Sequence, residues 1–216
     1  MIPHMREKRW FSETSGAARL CRVSELAKEY LAKRGDQSVS NRIDHLERTS
    51  RRAEQMAKVM SKSGDPIDIE VVKLAAMLHD IDEPYTHDAS AVNRSIVVAE
   101  RILRQAGYPQ KRSSLILRAI AEHSSERPTK STSIESDIVY DADKIDGLGA
   151  TGIARVFSIQ GQQGHVPSEA IAWYRMKMDA ALPNMRTELG KRVVAKRVKY
   201  VQAFIRQYEK EQKRLL

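Results

Sequence analysis

The sequence predicts an all-α protein. Three observations carry that expectation. Apolar residues recur at three- and four-residue intervals in one segment after another. Gly, Pro and short polar clusters divide those segments at helical lengths. No stretch alternates apolar and polar residues long enough to require a sheet.

In chain order, residues 18–34 carry Leu20, Val23, Ala27 and Leu31 at helical spacing and stop at Gly35. Residues 41–61 carry Leu46, Ala53, Met56, Ala57 and Met60, closed by the Ser-Gly-Asp-Pro turn at 63–66. Asp68 is the expected N-cap of a helix running to about His79 on Val71, Leu74, Ala75 and Leu78. Pro84 stops any continuation beyond it. Val92, Ile96, Ala99 and Leu103 form one stripe over 88–106, ended by Gly107 and Pro109. Another helix spans 110–123, before the turn-rich 127–135 with its Pro128. The next is expected to start near Ile138 and to carry Asp141 to Gly147, with 160–168 a loop. The last helix is long. Val194, Val198, Val201, Ile205 and Tyr208 give it a core-facing stripe, so it packs and is not a free tail.

The 216 residues fit one domain, or one domain with an extension, and 41% apolar content is enough for a core. A single cysteine, Cys21, excludes an intrachain disulfide framework and suits a reducing compartment. The longest purely apolar runs, such as 96–99, fall far short of the roughly 20 residues that span a bilayer, so no membrane partner is expected. No apolar segment stands behind the N-terminal charges, which leads us to expect no signal peptide and a cytoplasmic location. The net charge is +9, and residues 191–216 alone supply +7 of it. The basicity thus belongs mostly to the last helix. A solvated helix face explains it; a surface for phosphate-bearing ligands or RNA is the alternative.

Chemistry concentrates elsewhere. Leu78-His79-Asp80 ends an apolar helix, and a buried His beside a buried Asp is costly unless paired or bound to metal. Imidazole and carboxylate are natural ligands of a divalent cation. His45 lies 34 residues upstream, with Arg48 on the same helical face. Asp143 lies 63 residues downstream of Asp80, inside Asp141-Ala-Asp-Lys-Ile-Asp146. Three carboxylates in six residues beside an apolar helix start do not read as solvated surface.

The pattern His…His-Asp…Asp on successive helices resembles the signature of HD-domain phosphohydrolases. His45-Leu-Glu-Arg48, Leu74-Ala-Ala-Met-Leu-His-Asp-Ile81 and the stretch from Asp141 to Phe157 (DADKIDGLGATGIARVF) resemble three motifs of small stand-alone microbial members. Trp173-Tyr-Arg-Met-Lys, Met185-Arg-Thr-Glu and the final helix resemble their C-terminal part, so the likeness covers about residues 40–210. It implies an HD-domain helical bundle over 37–216, with 1–36 as an N-terminal helical extension. It also implies that His45, His79, Asp80 and Asp143 ligate one divalent cation, among Mn, Mg, Fe, Co, Ni and Zn. Asp143 is preferred to Asp141 because Ala-Asp-Lys matches the family's Ala-Asp-Arg. Glu83 falls where relatives place an acid that orients the attacking water; otherwise it is a turn carboxylate before Pro84. His87 and His123 match ligand positions for a second metal; otherwise they are residues at helix ends. His4 and His165 read as surface residues, and Asp146 as a partner behind the ligands. One departure stands out: Thr49 follows Arg48 where relatives carry an apolar residue.

The activity implied is hydrolysis of a phosphoester or phosphoanhydride, with a nucleotide as substrate. Water on a divalent cation has its pKa lowered towards about 7. Phosphoryl transfer then needs positioning and charge neutralisation more than covalent help. Arg48 and Lys144, each next to a ligand position, are the candidate phosphate clamps; Arg48 has an ion pair with Asp44 as its alternative. The rival function is a nucleic-acid-binding or regulatory helical module that retains the fold. Its support is the basic last helix, whose Tyr200, Phe204 and Tyr208 offer little aromatic interleaving. Self-association into a homo-oligomer stays open.

Overall fold

The computed structural model describes residues 16–34, 43–64, 66–82, 90–124 and 131–213. All regular structure among them is helical: α1 (Gly16–Ala32), α2 (Ile43–Ser61), α3 (Ile69–Leu78), α4 (Ala91–Gln105), α5 (Gln110–Glu122), α6 (Ile134–Asp146), α7 (Gly149–Gln162), α8 (Pro167–Asn184) and α9 (Glu188–Lys213). The expected stops at Gly35, Pro84 and Pro128 lie outside the described residues.

Local signals explain most boundaries. Asp68 caps α3 as expected, its carboxylate accepting from the Val71 amide. Gly64, at φ 106°, turns the chain after α2. Helix α6 starts four residues before Ile138, because Ser133 accepts from the Ser136 amide and provides the cap. The expected loop at 160–168 is shorter: α7 runs to Gln162 and α8 begins at Pro167, a residue suited to a first helical turn.

Helices α2, α3, α5 and α6 pack together at the centre, with α1 and α4 on one side and α7, α8 and α9 on the other. One apolar core runs through all of it, from Val23 in α1 to Ile205 in α9. Val194, Val201 and Ile205 are buried and Val198 and Tyr208 half-buried, while Lys196, Lys199, Arg206 and Lys213 are on the other, more solvated side. The last helix is therefore part of the core on one face and a cationic surface on the other.

Two further contacts fix α9 to the motif helix α6. Buried Asp141 accepts from the Arg186 and Thr187 amides (2.9 and 2.8 Å) and from the Thr187 hydroxyl (2.6 Å). Arg197 donates to the carbonyls of Ile145 and Leu148, both at 2.9 Å. The glycines of the 147–152 motif have a steric reason. Gly149 enters α7 at φ 78°, and a Cβ on Gly152 would lie 2.2 Å from the Gly147 carbonyl oxygen.

Candidate metal centre

The centre is built by side chains from three helical segments. His45 comes from the first turn of α2, His79 and Asp80 from the C-terminal end of α3, and Asp143 from α6. One ligand atom from each of these four residues lies within 4.8 Å of all the others. Asp143, not Asp141, enters the cluster; Asp141 is turned to the start of α9.

Each histidine is held by its other nitrogen. His45 Nδ1 is 2.8 Å from Asp146 Oδ2, and His79 Nδ1 is 2.9 Å from the Ala76 carbonyl. Both acceptors call for a proton on Nδ1, which leaves the Nε2 lone pairs facing the cluster. Those two Nε2 atoms are buried and have no hydrogen-bond partner among the described residues. Carboxylate oxygens stand nearby: Asp143 Oδ1 is 3.5 Å from both, and Asp80 Oδ2 is 3.3 Å from that of His79. Two inward lone pairs and two carboxylates in a buried space repel one another unless a cation lies between them. The donor set therefore fits a divalent cation, and its mix of nitrogen and oxygen suits several.

The electrostatics differ between the two histidines. Burial lowers the pKa of His45, with the Arg155 charge adding to it and Asp146 opposing, so its imidazole is neutral as a ligand must be. Burial would lower His79 too, but the charges of Asp80 and Asp143 outweigh it and raise it well above the usual range. Burial would raise Asp80 and Asp143. Instead the His79 charge for the former, and Lys144 with His79 for the latter, hold both far below the usual carboxylate range. A proton on His79 is what these carboxylates attract where no stronger positive charge competes.

Behind the ligands sits a second layer of charge. Asp146 is fully buried and takes His45, Arg48, Arg52 and Arg155 on one carboxylate. Arg48 reaches it through Nε (3.2 Å) and a terminal nitrogen (3.1 Å), Arg52 at 2.9 Å and Arg155 at 2.7 Å. Burial alone would raise this carboxyl; the hydrogen bonds from His45 and Arg48 reverse that and hold it ionised. Asp146 thus stands behind His45, one of the four converging side chains. Arg48 also pairs with Asp44 at 2.6 Å, so its guanidinium is directed at two carboxylates. Sequence reasoning missed Arg52 and Arg155. The spacing of Arg48 and Arg52 on one face of α2 was the available signal. Thr49 is buried with its hydroxyl 3.3 Å from His45 Nδ1, which gives a polar residue at that position a partner.

The remaining expected residues divide. Lys144 reaches Asp143 Oδ2 at 2.9 Å and lies at the surface edge of the centre. Burial works against its charge, but Asp143 outweighs it and holds the ammonium protonated. His123 Nε2 is 3.2 Å from Asp80 Oδ1, and its Nδ1 is 2.5 Å from the Ile120 carbonyl, so it borders the cluster. His165 is exposed and pairs with Glu169. Glu83, His87 and His4 lie outside the described residues. Helix α1 anchors the turn just after Asp80: the Tyr30 hydroxyl donates to Asp82 at 2.5 Å, and Arg34 pairs with the same carboxylate.

A family model described as the HD domain matches residues 42–148. YpgQ of Bacillus subtilis is 27% identical over 152 residues, 67% of this chain and 73% of that protein. MJ0778 of Methanocaldococcus jannaschii is 34% identical over 96 residues, 44% of this chain and 52% of that protein. The crystal structure of Bacillus subtilis YpgQ in complex with ADP shares the fold, with a TM-score of 0.72 at 23% identity over 89% of this chain and 94% of that one. An HD-superfamily hydrolase from Bacillus thuringiensis does likewise, with a TM-score of 0.69 at 22% identity over 92% and 99%. All four converging side chains lie inside the span that the family model matches, and residues 42–148 of the chain form an HD domain.

Proposed function

We propose that this protein is a metal-dependent phosphohydrolase that cleaves a phosphoester or phosphoanhydride of a nucleotide. The observation that carries the reading is the pair of unpartnered, inward-facing Nε2 atoms of His45 and His79 beside the carboxylates of Asp80 and Asp143. Such a cation supplies Lewis acidity towards water and a phosphoryl oxygen.

In this reading the chain's own residues position and neutralise. His45, His79, Asp80 and Asp143 hold the cation, and Asp146 keeps the His45 ring in place. Lys144, protonated and next to Asp143, offers a donor to a phosphoryl oxygen at the edge of the site. Arg48, whose guanidinium is taken up by Asp146 and Asp44, acts on the site by holding Asp146. Glu83, three residues after Asp80, is assigned the acid–base role, and His123, against Asp80, a place beside a second cation with His87. The ADP bound to YpgQ supports a nucleotide as substrate. Against the nucleic-acid reading stands the burial of Val194, Val201 and Ile205, which makes α9 structural before it is electrostatic.

The test is metal content of the purified chain, followed by phosphate or pyrophosphate release from a panel of nucleotides with each divalent cation. Metal-dependent release is the expected result. A chain that binds cation but releases nothing from any nucleotide overturns the reading.

A further inference from the structure

A cleft of about 400 Å³ lies between α6, α7 and α8 and shares Asp143 with the metal centre. Asp143 and its Lys144 partner both line it, so the cleft adjoins one of the converging carboxylates and the Lys144 ammonium. A volume of this size falls in the range of small-molecule sites. Away from those two residues the walls are mainly apolar, with Leu148, Val156, Ile159 and Trp173 among them.

Helix α8 shows two faces. Ala170, Ile171, Tyr174 and Met178 are buried in the core. Trp173, Lys177, Ala180, Ala181 and Asn184 recur at helical spacing and line the cleft instead. The Tyr140 ring is already covered by the Arg186 guanidinium, 3.7 Å from its centroid, with Lys144 at 5.2 Å. Trp173, half-buried, is the larger aromatic surface in the cleft, with the Lys177 ammonium 4.7 Å from its centroid. The two alanines keep the space beyond it open, and Asn184 offers both a donor and an acceptor at the end of the row. Lys144, Arg155 and Lys177 line the cleft against one carboxylate, that of Asp143. A flat aromatic body joined to a polyanion is the ligand chemistry that matches these features.

We infer that the α6–α7–α8 cleft seats the nucleoside of the substrate, with the base against Trp173 and its edge towards Asn184, while the phosphates lie at the cation. This rests on the phosphohydrolase reading above and adds where specificity is set. Trp173 and Asn184 are specificity-determining residues that touch the base, remote from the bond that breaks.

The experiment compares two non-hydrolysable probes on the Mn²⁺-loaded full chain by calorimetry: α,β-methylene-ADP, and methylenediphosphonate, which has the same phosphorus core without the nucleoside. The wild type binds the first more tightly by about tenfold or more, the scale of one base stacked on an aromatic ring. Trp173→Ala and Ala180→Trp abolish that advantage without moving the methylenediphosphonate affinity or the Mn²⁺ content. Ala180 is exposed, so its replacement fills the cleft without disturbing the core. An advantage that survives Ala180→Trp, or a wild type that shows none, overturns the inference. If neither probe binds the loaded protein, the phosphohydrolase reading falls and the cleft assignment with it. If the binding pattern holds but no nucleotide is hydrolysed, the reaction is wrong and the cleft assignment stands.

Discussion

His45 and Asp146 stand 101 positions apart in the sequence, yet the imidazole Nδ1 and the buried carboxylate are 2.8 Å apart. That contact sets the tautomer of a candidate ligand from behind. The same carboxylate neutralises part of the charge of three arginines, so ligand geometry and stability meet in one side chain.

Asp146→Asn is therefore expected to lower metal affinity by about 10–100-fold, the usual cost of losing a partner behind a ligating histidine. Asp146→Ala leaves Arg48, Arg52 and Arg155 without their shared anion and should destabilise the fold by about 3–5 kcal/mol. Metal titration and chemical denaturation on both variants check this. Wild-type affinity in Asp146→Asn would show that His45 needs no such support.

Asp80→Ala and His79→Ala should each abolish metal binding and hydrolysis while circular dichroism remains helical. Both side chains lie at the end of α3, whose apolar residues are buried independently of them. Stoichiometric metal in both purified variants would sink the ligand assignment.

Glu83→Gln should reduce turnover by about 10²–10⁴-fold with metal content unchanged, the scale of one positioned acid–base group. The comparison to make is kcat against bound metal in the same preparation. A wild-type rate would make Glu83 a turn residue only.

Truncation after residue 190 should unfold or strongly destabilise the whole domain. It removes buried Val194, Val201 and Ile205, each worth about 1.5–3 kcal/mol, and the Arg197 bonds to the end of α6. Melting temperature and nucleic-acid affinity, measured on the same truncation, separate the two roles of α9. A stable truncation that has lost salt-sensitive RNA binding would favour the nucleic-acid module.

The helices were legible because each needs only a local period and a local stop. The α3 cap at Asp68 and the apolar stripe of α9 could be read directly, since neighbours three and four residues apart share a face. The candidate ligand types were legible too, because His79-Asp80 at the end of an apolar helix and Asp143 in a carboxylate-rich helix conflict with burial unless something neutralises them. What the tertiary structure alone decided was direction. The motif already favoured Asp143 over Asp141, but only packing gave Asp141 its partner, Thr187 at the start of α9. Packing also placed Arg52 and Arg155 on Asp146, and it left the Trp173 row of α8 lining a cleft beside Lys144. A period records which residues share a face of one helix; which neighbour that face meets depends on how separate helices pack, and packing joins residues a hundred positions apart.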